Sequence, residues 1–488
     1  MVMHTQEEEM RRLLKIGCQG LGCCMAALVV LIMGTALAGC GAGTKDEPSD
    51  PPVLSGVFVD GPVAGLEYAT PTLNGLTDSD GGFEYREGEI VTFAAGEIVL
   101  GSAEGGPVLT PIDIGTGPWS SANMTAVNIA RFLQLLDVDG DPADGIAIIE
   151  AMRPLLAWDA ADGANDGTLF QDETSVFLNS GPFATFLDRI IGILDDAAVF
   201  SAHTPRTLAL RTATGARRHL DATLTALAPH PFAPYVKEVG IGVTDLDASK
   251  AFYDTVMGLH HRDDRVSSDR SETVYEDNRP VSATSTPNRL VLMKYDDDTI
   301  DCTNRPVKLV FAVADVDAVY AAIVANGGTG FSAPADQPGL GRIGMALDPD
   351  GYLIELIEFA VPGTYLTAIG IGVPDIATSD DFYTRVIGMR LKYYLHVPYF
   401  MNEAILQSRL SPSYDLSHGM DVVLMDYFNP RPYDNVPARI TFTVADPAAV
   451  TQAIRDAGLL VVQEPTAGLP GIAKDPLGYE TGLVATVQ

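Results

Sequence analysis

The sequence predicts an α+β protein. Its C-terminal half reads as a tandem duplication of paired βαβββ modules, four in all, preceded by a small β-sandwich-like piece and a helical region. Three observations carry this: a string of landmarks that recurs at a nearly constant offset beyond residue 234, short alternating apolar runs between glycine-rich turns over 51–115, and a switch to helical periodicity from residue 121.

The chain has 488 residues, 47% hydrophobic and 19% charged, a length that predicts several domains. There are 31 Lys and Arg against 64 Asp and Glu, a formal net charge of -33. Phosphate backbones need clustered cations, so nucleic acid is excluded as a partner class. A broad electrostatic contact with anionic lipid is disfavoured for the same reason.

The first segment reads as an address. Arg11, Arg12 and Lys15 precede the apolar run Cys23–Met33, which ends in Leu37-Ala38-Gly39-Cys40. A basic start, a short apolar stretch and small residues before a cut site make a secretory signal over 1–39. The tetrad resembles the bacterial lipobox, which implies cleavage before Cys40 and lipidation of that residue, hence a membrane attachment through lipid. The alternative, a retained transmembrane helix, sits poorly with the polar linker over 40–52. Gly41 after the lipidated Cys implies the outer membrane by the same resemblance, with the body facing the periplasm or the exterior. Of the five cysteines, only Cys302 lies beyond residue 40, so no intrachain disulfide is expected in the mature body.

Over 53–115, Val57, Val59 and Val63 flank Asp60-Gly61-Pro62, and Phe83 and Tyr85 follow Asp80-Gly81-Gly82, which reads as a β-rich domain. Ile129, Phe132, Leu133 and Leu136 then fall on one helical face, opening a mostly helical region over 116–228. Directly after them come Asp137, Asp139, Asp141 and Asp144. Carboxylates at alternating positions suit a hard cation, so Ca²⁺ is one reading and a solvated acidic turn the other. The loop is no EF-hand, because Pro142 and Ile148 stand where that loop needs Gly and Glu.

The repeat organises the rest. Val239-Gly-Ile-Gly-Val recurs as Ile369-Gly-Ile-Gly-Val, and Phe252-Tyr253 as Phe382-Tyr383, both at an offset of 130. Phe311-Ala-Val-Ala-Asp315 recurs at Phe442, and Asp348-Pro-Asp-Gly-Tyr352 at Asp475. Each copy, 235–360 and 364–488, restarts its own order halfway. A strand at 239–243 precedes a helix carrying Phe252, Val256 and Leu259, with His260-His261 at its end. A second strand, Lys308–Val313, precedes the helix Val316–Ala325.

These strings, closed by Asp348-Pro-Asp-Gly-Tyr-Leu-Ile-Glu-Leu-Ile-Glu358, resemble the vicinal oxygen chelate superfamily, most of all glyoxalase I and the bleomycin-resistance proteins. The resemblance covers about half the chain. It implies curved sheets around a small-molecule groove, and in the enzymes a divalent metal held at four points by His, Glu or Gln. Carried across, those points are Glu238, Val291, Lys308 and Glu355 in the first copy, and Ala368, Val423, Arg439 and Gly482 in the second. In this family a site can combine half of each copy, and either combination leaves one carboxylate and one cation. A fixed cation at a ligand point repels a divalent ion. Two readings stay open: Lys308 and Arg439 replace the metal charge and pair with Glu355 and Glu238, or all four reach solvent at the groove mouth.

Other candidates are His260-His261, as a proton-transfer pair or as surface residues at a helix C-terminus, and His396 and His418 near Tyr393, Tyr394, Tyr399 and Phe400, as a ligand-pocket wall or as ordinary packing. The sequence thus points to binding of a small organic ligand with no cofactor expected in the tandem domains, leaning away from an enzyme. A metal-dependent lyase, isomerase or dioxygenase is the alternative, and a structural envelope protein with a vestigial groove is the second.

Overall fold

In a computed structural model, the described residues are 51–118, 120–200, 211–281, 286–337, 340–411, 419–429, 431–433, 435–466 and 469–485. Residues 1–39, expected from the sequence to be a signal, together with Cys40 and His418, lie outside them.

The N-terminal strands are β1 (Val53–Phe58), β2 (Val63–Ala64), β3 (Glu67–Ala69), β4 (Asn74–Leu76), β5 (Gly82–Arg86), β6 (Ile90–Ala95), β7 (Ile98–Glu104) and β8 (Val108–Leu109), with β9 (Ile146–Ala147) further on. They form sheets in the orders β5-β1-β8 and β4-β3-β6-β7, and a short β2-β9 pair. The alternation seen in the sequence puts Phe58, Phe83 and Phe93 inward, with Phe83 and Phe93 edge to face at 5.2 Å. The helices Met124–Leu136 and Pro182–Asp196 join the same core. The Met124–Leu136 helix is buried on every side, not on one face as its periodicity predicts, because polar positions are enclosed too. Asn128 and Arg131 are spent there on the Phe170, Asp172, Ser175 and Arg211 carbonyls.

Among the described residues, sixteen strands make the C-terminal half. They are β10 (Tyr235–Gly242), β11 (His260–Val266), β12 (Arg270–Glu276), β13 (Arg289–Tyr295), β14 (Val307–Val313), β15 (Thr329–Gln337), β16 (Gly341–Leu347) and β17 (Leu353–Glu358), then β18 (Tyr365–Gly372), β19 (Arg390–Val397), β20 (Met401–Gln407), β21 (Asp421–Tyr427), β22 (Ala438–Val444), β23 (Val461–Gln463), β24 (Gly471–Lys474) and β25 (Glu480–Ala485). They close into two eight-stranded sheets, ordered β11-β12-β13-β10-β22-β25-β24-β23 and β15-β16-β17-β14-β18-β21-β20-β19. Each sheet therefore joins one module of each copy, the outer two modules in the first sheet and the inner two in the second. The seams are the antiparallel pairs β10–β22 and β14–β18.

Strand period two sorts the side chains. Val239 and Ile241, Leu309 and Phe311, and Ile369 and Ile371 turn to one continuous core with the helices. The alternate residues Glu238, Lys308, Val310 and Arg439 turn to the groove faces.

The recurring landmarks are joints of the fold. The Tyr253 hydroxyl donates to Asp348 at 2.7 Å, and the Tyr383 hydroxyl to Asp475 at 2.9 Å. In turn Tyr352 and Tyr479 donate to the carbonyls of Gly242 and Gly372. Burial pushes the Asp348 carboxyl up to about 7 and Asp475 up to about 6, against these hydrogen bonds.

Two local expectations are corrected. The helix Leu246–Ala251 continues as a wider π-turn over Phe252–Val256 and stops before Gly258, whose φ of 65° ends it. Leu259 is thus off the helix. His260 and His261 open strand β11 and do not end a helix, and both lie on the exposed edge of the sheet, where the strand's run of charged residues is solvated.

Candidate functional site

Two grooves follow from the two sheets, and each is crossed by the same ion pair. In the second sheet the Lys308 ammonium, 2% exposed, lies 2.7 Å from Glu355 and 2.5 Å from Glu403. In the first sheet Arg439 grips Glu272 with both terminal nitrogens at 2.7 and 3.1 Å and lies 3.5 Å from both Glu238 and Glu480. Glu272 and Glu403 occupy matching places on the third strand of their modules, since each pairs with the methionine, Met293 or Met425, that neighbours the Gly-Ile-Gly strand. Arg439 and Lys308 likewise match on the first strand of theirs. The salt bridge across the module seam is therefore built twice from one plan.

Of the two readings left open by the sequence, the structure brings together Lys308 with Glu355 and Arg439 with Glu238 and does not send Lys308 or Arg439 to solvent. It adds Glu403, Glu272 and Glu480, and the guanidinium of Arg270, which holds Glu480 at 2.8 Å and Glu272 at 2.9 Å. Arg265 reaches Glu238 from the sheet edge at 3.2 Å. The recurrence of Glu272 at Glu403, an offset of 131, is a signal that the landmark comparison did not use.

The charges hold each other. Burial opposes the ammonium of Lys308, but Glu355 and Glu403 outweigh it and keep it above the usual lysine range. Burial raises Glu403 in spite of Lys308. Glu272 is lowered, because Arg439 and Arg270 outweigh its burial.

A divalent metal does not fit these residues. At the mapped points the first groove offers Glu238, Val291, Arg439 and Gly482, and the second Lys308, Glu355, Ala368 and Val423. A site for Zn²⁺ or Fe²⁺ typically takes three or four protein ligands, and here a nitrogen cation occupies the centre of each carboxylate set. Among the described residues no group of three or more His, Cys, Asp or Glu side chains is placed to hold a metal ion. In the acidic loop, Asp137 accepts from the Ala147 amide, Asp139 from Asp141 and Asp141 from Ala143, while Asp144 is exposed. Arg211 caps the loop at the Gly140 carbonyl. Three of the four carboxylates thus accept from backbone amides of the loop and its exit.

The predicted aromatic wall is not brought together. Tyr399 is 97% exposed at a turn with φ 63°. His396 bonds Asn402 at 2.9 Å and packs on Phe428. Tyr393 lies beside Lys392, and burial pushes its hydroxyl up to about 12. Tyr394 faces away, where its hydroxyl meets Arg217 of the Ala213–Leu227 helix; that guanidinium is fully buried against Asp380.

The two grooves differ in what fills them. Val310, Met401, Ile405, Val423, Met425 and Tyr427 pack together over the second. At the matching places the first carries Thr441 for Val310, Arg270 for Met401, Gly482 for Glu355 and Val484 for Ile357. Gly482 and Val484 are smaller than their counterparts, and a cavity of about 840 Å³ lies over this groove. That lies within the range of pockets that hold small molecules.

The model of the Glyoxalase/Bleomycin resistance protein/Dioxygenase superfamily matches residues 235–356 and 365–481, so the C-terminal half of the chain is a tandem pair of domains of that superfamily. Solved structures similar to the chain include glyoxalase I from Zea mays, 22% identical with a TM-score of 0.42, covering 52% of this chain and 93% of that one. Another is a putative dioxygenase from Bacillus subtilis, 9% identical with a TM-score of 0.38, covering 51% and 84%. A glyoxalase/bleomycin resistance protein from Albidiferax ferrireducens is 25% identical with a TM-score of 0.19, covering 25% and 97%. No curated protein matches the chain.

Proposed function

We propose that the chain binds a small organic molecule, without a catalytic metal, in the groove of the first sheet. The observation that supports this reading is the contrast between the grooves. One is packed by its own side chains, while the other stays open where Gly482 and Val484 stand in place of Glu355 and Ile357. The ion pairs across both seams take over the structural part of a metal's work, tying the two modules of each sheet together. The closed second groove favours a supporting role for the inner two modules. The lipobox at Leu37–Cys40 supports a lipid anchor on Cys40 and a place at the cell envelope, where such a binder would act by sequestration.

Native mass spectrometry of the full chain, before and after incubation with zinc, iron or nickel salts, tests the reading. Retained organic mass that disappears in Val484→Trp, which fills the groove, is the expected result. Stoichiometric retention of a divalent ion, lost on Glu238→Gln or Glu355→Gln, would overturn it.

A further inference from the structure

The open groove has the wrong sign for this protein. Its lining carries five cations, Lys237, Arg265, Arg270, Arg289 and Arg439, against two carboxylates, Glu238 and Glu272, in a chain with twice as many acids as bases. The deep cations are already used. Arg439 is held by Glu272, Glu238 and Glu480, Arg270 by Glu272 and Glu480, and Arg265 by Glu238 and Asp263. That floor is neutral.

The wall is not. Arg289 pairs with Glu276, which Arg262 also holds while reaching Asp263. Lys237 has no carboxylate within ion-pair distance among the described residues, and its ammonium donates only to the Thr286 carbonyl at 2.9 Å. A register shift between Val236 and Glu238 in the β10–β22 ladder lets the consecutive residues Lys237 and Glu238 both line the groove. Burial lowers Lys237 to about 8, and the charges of Arg279 and Arg289 add to this against Asp277. The ammonium is therefore held at a cost that a bound anion would relieve.

The lips are apolar. Val266 is 84% exposed at the end of β11 and Leu469 is 59% exposed before β24, and both line the opening. Exposed apolar residues rimming a charged wall suit a molecule with a polar head and an apolar body.

We infer that the guest of the first groove is an amphipathic organic acid, its carboxylate held by Lys237 and Arg289 and its apolar part against Val266 and Leu469. This rests on the binding function proposed above and specifies its ligand class. The proposal predicts a preference set by charge and weakened by salt.

The test is calorimetric titration of the full chain with two matched series: phenylacetate, phenylacetamide and phenethylamine, and octanoate, octanamide and octylamine. The acids are expected to bind about tenfold or more tighter than their amides, the worth of one charge-assisted hydrogen bond. The double variant Lys237→Met/Arg289→Met should remove that preference, so that acid and amide bind alike, with its thermal unfolding as the folding control. The single variant Lys237→Met should lose part of it, which keeps the test open if the double variant does not fold. Acids and amides binding equally well would overturn the inference while leaving the groove as a binding site. If no member of either series binds, the binding function itself falls.

Discussion

Replacing Lys308 by Met tests the claim that a buried cation has taken the centre of the second groove. The ammonium is nearly inaccessible and sits between Glu355 and Glu403 at 2.7 and 2.5 Å. Removing it leaves two carboxylates in an apolar setting without a counter-charge. Breaking a buried pair in this way costs about 3–5 kcal/mol, whereas replacing all partners by apolar or neutral groups is nearly neutral. The triple variant Lys308→Met/Glu355→Gln/Glu403→Gln should therefore recover most of the loss. The orphaned carboxylates would take up protons more readily in the folded state than in the unfolded one. Their penalty is then full above the folded pKa and relieved as pH falls toward the unfolded carboxylate range, so the deficit of the single variant should be larger at pH 8 than at pH 5. Amide hydrogen exchange on β14 and β18 reads this locally, which matters because a chain of this size need not unfold in one step. A loss under about 1 kcal/mol, the range of a solvent-exposed pair, or a triple variant no better than the single one, would refute the reasoning.

Two further outcomes follow from the same geometry. Arg217→Met should loosen the Ala213–Leu227 helix from the second sheet, seen as faster exchange in that helix and about 3–5 kcal/mol of lost stability, with Asp380→Asn restoring part of it, because the pair is fully buried. Asp348 has its folded pKa raised to about 7 from 3.8, so its penalty is absent below about pH 4 and grows as pH rises to 7; Asp348→Asn should flatten that slope by a few kcal/mol at most and leave the Tyr253 contact in place, measured by urea unfolding across pH 4.5 to 8.

The landmarks show what a single sequence can carry. Phe252-Tyr253 and Asp348-Pro-Asp-Gly-Tyr352 are legible as a repeat because each copy needs the same hydroxyl-to-carboxyl joint. The groove residues are harder. Glu403 and Glu272 lie in strands whose alternation reports a face but not an occupant, so their meeting with Lys308 and Arg439 is invisible until the strands are paired. The fold spreads the aromatic run Tyr393–Phe400: one strand sends Tyr393 and Tyr394 to different faces, the turn throws Tyr399 into solvent, and Phe400 packs on Tyr427.

By itself the sequence determined the α+β class, the four modules, their order, and the presence of Lys308 and Arg439 at points where the family resemblance implies metal ligands. These are properties of period and of internal similarity, both of which a chain displays along its length. Only the tertiary structure decided that each sheet takes one module from each copy, that Arg270 meets Glu480 from 210 residues away, and that one groove is open while the other is packed. The physical reason is that partner choice between strands and the space left between them depend on side-chain volume summed over distant segments, which no local pattern records.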